Sequence, residues 1–166
     1  MIFRLIGVFL GLSVSAMSVH AEENLIVSMA KENGVKRCIP QLETVSNFII
    51  DKKSHGTHAA WNSDGADNRM YSSISSKGYA DGDSHVSVVA SINSEGKCDA
   101  YYVETFALAK SCMASRETTY KDMEYVGTIN SKTIVLKNTG GANYYLSAQG
   151  ASDNICLVSK RETIYQ

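Results

Sequence analysis

Four cysteines behind an N-terminal export leader constrain this fold more than any other feature of the chain. The sequence has 166 residues, and the first 21 have the pattern of a secretory signal peptide. Arg4 gives the positive start, an apolar run follows over residues 5–14, and Ala21 provides the small residue before the cut. That run is shorter than the roughly 20 residues that span a bilayer. We therefore expect a signal peptide over residues 1–21 and a single domain over residues 22–166.

Export decides what the cysteines do, because an oxidising compartment favours disulfides. The four residues, Cys38, Cys98, Cys112 and Cys156, allow three pairings. A strand from Cys98 to about residue 105 would hold its ends roughly 25 Å apart, whereas bonded cysteines need a Cα separation of about 5.5 Å. The spacing therefore disfavours Cys98–Cys112, and we favour Cys38–Cys98 with Cys112–Cys156. No C-x-x-C pair indicates a zinc site.

The charge balance excludes some partners. The chain has 16 basic and 17 acidic residues, and the leader contributes only Arg4, so the mature net charge is about −2. This balance gives no electrostatic basis for binding nucleic acid or an anionic membrane surface. No second apolar stretch is long enough for membrane insertion. We expect an exported protein, in the periplasm as the first choice and fully secreted as the second.

An amphipathic helix is predicted early in the mature chain. Pro40 suits the first turn of a helix, and apolar residues follow it at spacings of three and four. They are expected to share one buried face: Leu42, Val45, Phe48 and Ile49. A short helix over residues 24–33 is expected before it, and a partly helical stretch over residues 111–123 later in the chain.

Strand patterns dominate the rest of the chain. The clearest hairpin joins residues 84–92 and 97–107 around the turn 93–96. Five further strands are expected, over residues 57–62, 69–76, 132–137, 143–148 and 155–164. We therefore predict an α+β domain in which the N-terminal amphipathic helix packs on a mostly antiparallel sheet, stapled by disulfides. An unpaired strand at the edge of that sheet could pair with a second copy of the chain and form a homodimer.

Catalytic and metal-binding patterns are sparse. His55 and His58, spaced three apart across a glycine, read as surface loop histidines rather than metal ligands. The carboxylate pairs Glu95 with Glu104 and Glu117 with Glu124 read as exposed strand and helix charge rather than as a hydrolase pair. No nucleophile motif of the G-x-S-x-G type is present. We expect no catalytic residue, no metal and no cofactor.

Two acidic loops, over residues 63–68 and 78–84, are the predicted partner contacts. They lack the D-x-[DN]-x-[DN]-G calcium pattern, and Asp-Gly turn chemistry explains their composition. Their acids could meet the basic rim of a binding partner. The candidate contact residues are Asp64, Asp67, Tyr79, Asp81 and Asp83.

Paired tyrosines add a second recognition feature. Tyr101-Tyr102 and Tyr144-Tyr145 fall in predicted strands, where consecutive side chains point to opposite faces. One tyrosine of each pair is therefore expected outside the core. Exposed tyrosine suits recognition surfaces, although cross-strand packing is the more common reason for such pairs.

The leader, the size, the four cysteines and the closing segment CLVSKRETIY (residues 156–165) together resemble small periplasmic immunity proteins. That class neutralises toxins delivered between bacteria by type VI-type secretion, cell-wall hydrolases among them. The resemblance implies an inhibitor that binds an exported toxin or hydrolase and blocks its active-site cleft; it carries over no functional residue. The alternatives are a periplasmic enzyme of unfamiliar type acting on cell-wall material and an envelope ligand-binding module.

Overall fold

The computed structural model describes residues 24–166, so the predicted signal peptide lies outside the described residues. Three α-helices are present in this range, α1 (Leu25–Glu32), α2 (Ile39–Ile50) and α3 (Cys112–Thr118), and a short 3-10 helix covers Ala66–Asn68. Eight strands complete the domain: β1 (His55–Ala60), β2 (Tyr71–Tyr79), β3 (Gly82–Ile92), β4 (Cys98–Leu108), β5 (Glu124–Ile129), β6 (Thr133–Lys137), β7 (Asn143–Gln149) and β8 (Ile155–Ile164).

The strands form one antiparallel sheet in the order β1-β2-β3-β4-β8-β7-β6-β5. The first four strands follow one another as a meander. The chain then crosses through α3 to the far edge and returns through β5, β6 and β7, so that β8 pairs with β4. The α+β class and the antiparallel sheet are confirmed, and the predicted hairpin is β3–β4, closed by the hydrogen bond from Asn93 N–H to the Lys97 carbonyl at 2.8 Å.

Helix α2 lies on the sheet above β3 and β4. Its first turn contains Pro40, and Leu42, Val45 and Ile49 are buried against the sheet, as the spacing predicts. Phe48 differs from the prediction, since 59% of it is exposed. It stands one residue, about 100° of helical rotation, from Ile49. Its ring therefore lies at the edge of the buried stripe, 6.0 Å from the Tyr102 ring.

Two hydrophobic clusters share one face of the sheet. Helices α1 and α2 cover the first, centred on Tyr71, Val88 and Tyr102, and α3 covers the second, centred on Leu146 and Val158. Even-numbered residues of β4 and β8 belong to both clusters. Because alternate residues of a strand point to the same face, the two clusters lie on the same side of the sheet. Within residues 24–166 the opposite face of the sheet is covered by no helix.

Both predicted disulfides are confirmed. Cys38–Cys98 ties the start of α2 to the start of β4, and Cys112–Cys156 ties α3 to β8. Cys98 and Cys112 stand toward opposite ends of β4, which is why the spacing disfavoured that pair. No helix of the described chain is long and apolar enough to cross a membrane.

Candidate functional site

The predicted contact residues separate into two groups at opposite ends of the sheet. Tyr79, Asp81 and Asp83 come together around one cavity at the turn between β2 and β3. Asp64 and Asp67 belong to the segment between β1 and β2, at the other end of these strands. The first group forms the candidate site.

The turn between β2 and β3 is tighter than the loop predicted over residues 78–84. Tyr79 pairs with Gly82, which leaves only Ala80 and Asp81 between the strands. Gly82 has a backbone φ of 140°, a value that residues other than glycine rarely adopt. Asp83 is held by the Ser76 hydroxyl, which donates to its Oδ2 at 2.9 Å. The acidic residues are therefore presented by a rigid hairpin end.

A cavity of about 330 Å³ opens beside this hairpin end. Tyr79, Asp81, Gly82 and Asp83 line one side, and the end of β4 lines the other with Phe106, Ala107 and Leu108. We call this combination the acidic turn pocket. Apolar walls beside carboxylates match a lysine or arginine side chain, whose long stem is apolar and whose end is cationic.

A buried carboxylate on β4 holds the hairpin end beside the pocket in position. Glu104 is 5% exposed, and its Oε1 accepts hydrogen bonds from Lys77 Nζ (3.0 Å), Tyr79 hydroxyl (3.0 Å) and Ser84 hydroxyl (2.9 Å). Lys77 Nζ also donates to the Ile49 carbonyl at 2.6 Å. One oxygen therefore joins β2, β3 and β4, and Lys77 extends the connection to α2. We call this cluster the Glu104 anchor.

The ionisation of the anchor favours this arrangement. Burial raises the pKa of Tyr79, so its phenol stays protonated and donates to Glu104 at neutral pH. Burial alone would lower the pKa of Lys77, but the Tyr79 hydroxyl and the Glu104 carboxylate outweigh it and raise the pKa. Lys77 therefore stays an ammonium ion. Because Glu104 does not line the pocket, the anchor positions the turn rather than offering a reactive group there.

The two acids of the other segment differ in their surroundings. Asp67 Oδ1 accepts the backbone N–H groups of Lys36 (2.6 Å) and Arg37 (2.7 Å), and its Oδ2 lies 3.4 Å from Arg37 Nε. Its carboxylate is thus engaged by its own chain, between α1 and α2. Asp64 is exposed, and its N–H donates to Asn62 Oδ1 at 2.8 Å.

Replacing Asp67 by alanine should lower the free energy of unfolding by about 2 kcal/mol at pH 7, because two backbone donors lose a charged acceptor. The hydrogen bond from the Arg37 backbone, the largest cause, holds the pKa of Asp67 below its usual value. A lowered folded pKa adds stability above the unfolded value, about 3.9, that disappears as the pH falls through the folded value. Urea unfolding of both proteins between pH 7 and pH 2.5 should therefore show a difference that shrinks below pH 4. A difference that is constant with pH would contradict this.

The other candidate groups do not converge in the described chain. Glu95 pairs with Lys97 at 2.9 Å in the β3–β4 turn, far from Glu104 toward the opposite end of β4. His55, expected on the surface, is buried: its Nε2 accepts the Leu25 N–H at 3.2 Å, so Nδ1 carries the proton toward the Lys53 carbonyl. Among residues 24–166 no three His, Cys, Asp or Glu side chains are grouped to hold a metal ion.

Sequence reasoning missed the Glu104 anchor and read Glu104 as an exposed strand charge, which is wrong. A signal for its burial was present, because Glu104 has the same parity along β4 as the buried Ala100 and Tyr102. Lys77 likewise continues the alternation of the buried Tyr71 and Ser75 along β2.

Comparisons of the chain with protein-family models, with curated proteins and with solved structures find no match.

Proposed function

We propose that this chain is an exported inhibitor that binds a toxin acting in the periplasm, such as a cell-wall hydrolase, and blocks its cleft. The observation that carries the proposal is the acidic turn pocket held by the Glu104 anchor. Asp81 and Asp83 stand at a hairpin end whose geometry is fixed by a buried, triply hydrogen-bonded carboxylate. A fixed hairpin end suits binding, because little conformational entropy is lost on association.

The disulfides support an exported, periplasmic location. Cys38–Cys98 and Cys112–Cys156 use all four cysteines, and disulfides persist in exported proteins. Together with the leader pattern, they favour the periplasm. A toxin that acts there must be neutralised there, which agrees with the class resemblance to periplasmic immunity proteins.

The pocket defines the expected contact. A lysine or arginine of the partner enters the acidic turn pocket along Phe106 and Leu108 and places its cation at the hairpin end beside Asp81. Such a charge pair, desolvated at an interface, contributes to affinity and to the choice of partner. The hairpin end then covers the partner's substrate cleft and excludes the substrate.

A purification from the bacterial envelope tests the proposal. The full chain, with its leader and a C-terminal affinity tag, is expressed in its source bacterium and isolated from the periplasmic fraction. We expect one stoichiometric protein partner, whose hydrolytic activity falls when the purified chain is added. If no partner is isolated and the purified chain itself degrades cell-wall fragments, the inhibitor proposal is wrong.

Removing the charges of the pocket should weaken that complex at least tenfold. In the variant D81N/D83N both side chains keep their size, and the amide oxygen introduced at position 83 can still accept from the Ser76 hydroxyl, so the hairpin should keep its geometry. The matched control is E95Q/D122N, which removes two exposed acidic charges away from the pocket. Equal affinity of both variants for the isolated partner would exclude the acidic turn pocket as the contact.

A further inference from the structure

The face of the sheet opposite the helices carries an arginine held between two tyrosines. Arg161 on β8 lies 5.6 Å from the Tyr101 ring on β4 and 5.7 Å from the Tyr145 ring on β7, measured from its guanidinium carbon to each ring centroid. These are the outward members of the two tyrosine pairs, while Tyr102 and Tyr144 face the helices. We call this surface, with Val103 and Ser159 beside it, the tyrosine face.

Arg161 has no charged partner within the described chain. Two other arginines form ion pairs, Arg37 with Asp67 and Arg116 with Glu117. Arg161 forms none with any carboxylate of residues 24–166. Its side chain is exposed, and both tyrosines that flank it are partly exposed. The two rings therefore hold the planar guanidinium in position, and its N–H groups are free to donate hydrogen bonds to a partner.

The composition of this face indicates a protein partner. Val103 and Asn143 are the strand neighbours of Arg161, and the next positions on the same face are Thr105, Ser159 and Thr163. Tyrosine and arginine anchors among small hydroxyl side chains are typical of protein-binding surfaces. Because the arginine occupies the tyrosine rings and the chain is acidic overall, nucleic-acid bases are not favoured there.

We infer that the tyrosine face is a second interaction surface, which binds an acidic patch of a protein through a carboxylate paired to Arg161. A carboxylate accepts two parallel hydrogen bonds from a guanidinium, so the match is directional as well as electrostatic. The surface differs from the acidic turn pocket, which selects a cation. A partner seated on both would have to carry a basic projection and an acidic patch.

Site-directed photocrosslinking tests this inference in the envelope. A photoreactive phenylalanine analogue replaces Tyr145 in the full, leader-bearing chain, and in a control chain it replaces Lys52, which is exposed just after the end of α2. We expect position 145 alone to crosslink to another protein, within a segment that contains Asp or Glu. No crosslink, a crosslink to a second copy of this chain, or a segment without a carboxylate would overturn the inference.

Charge exchange then shows whether Arg161 makes the contact. R161E should weaken binding of the crosslinked protein at least tenfold, and R161K, which keeps the charge but loses the planar fork, should weaken it several-fold. R69E is the matched control, because Arg69 is exposed and has no ion pair within residues 24–166. Replacing the crosslinked acidic residue by arginine should restore binding to R161E; failure to restore it, or equal binding by R161E and wild type, would overturn the inference.

The two surfaces can be separated by the same assays. D81N/D83N should leave the crosslink at position 145 unchanged if the two contacts are independent. If the wild-type chain inhibits no hydrolase but still crosslinks at position 145, the proposed function is wrong and the tyrosine face stands. If the wild-type chain inhibits its partner but position 145 does not crosslink, the proposed function stands and the tyrosine face is wrong.

Discussion

Replacing Glu104 by alanine is expected to lower the free energy of unfolding by about 3–5 kcal/mol, because a buried ammonium loses its carboxylate. Lys77 is 4% exposed and would retain only the Ile49 carbonyl as its acceptor. The Tyr79 and Ser84 hydroxyls would lose their acceptor as well. Urea unfolding at pH 7 with the disulfides intact measures the change.

Two further variants make this result specific to the buried pair. E43A removes the exposed ion pair with Lys31 and should cost less than about 1 kcal/mol. The double variant K77M/E104M removes both buried charges and should be more stable than E104M alone, since no unpaired charge then remains in the core. A cost for E104A no larger than that for E43A would contradict the Glu104 anchor.

Removing the Cys38–Cys98 disulfide should have an effect of similar size. The bond closes a segment with a sequence separation of 60, for which chain entropy alone gives about 4 kcal/mol. The variant C38A/C98A leaves no free thiol and should unfold at correspondingly lower urea concentration. Helix α2 should also exchange its amide hydrogens faster, because the lost bond ties its start to β4.

The second disulfide provides the comparison. Cys112–Cys156 has a separation of 44, so C112A/C156A should also lose about 4 kcal/mol, while faster exchange should centre on α3 rather than on α2. Losses below about 1 kcal/mol in both variants would show that the bonds do not stabilise the fold.

Much of the fold was predictable because its strongest patterns are local. The spacing of Leu42, Val45 and Ile49 predicts the buried face of α2, and the alternation along residues 84–92 predicts β3. Strand β5 was missed, since all of its residues are exposed or nearly so and its pairing with β6 is interrupted by a bulge before Gly127. An edge strand buries little and therefore shows little alternation.

The candidate site was predictable only in part. Asp-Gly chemistry marks the turn at Asp81, but the same composition fits a tight hairpin and a longer loop. No sequence pattern indicates that Asp67 binds the backbone of residues 36 and 37, a contact between segments about thirty positions apart. The Glu104 anchor likewise depends on four elements meeting, so the sequence alone placed Glu104 on the surface, where such charges usually lie.

The most direct test of the inhibitor account is a calorimetric titration of the isolated partner with the purified chain. The account predicts saturable binding at a ratio of one to one, loss of the partner's hydrolytic activity in parallel, and at least tenfold weaker binding by D81N/D83N. Binding without loss of activity, or hydrolysis of cell-wall fragments by the chain on its own, would contradict it.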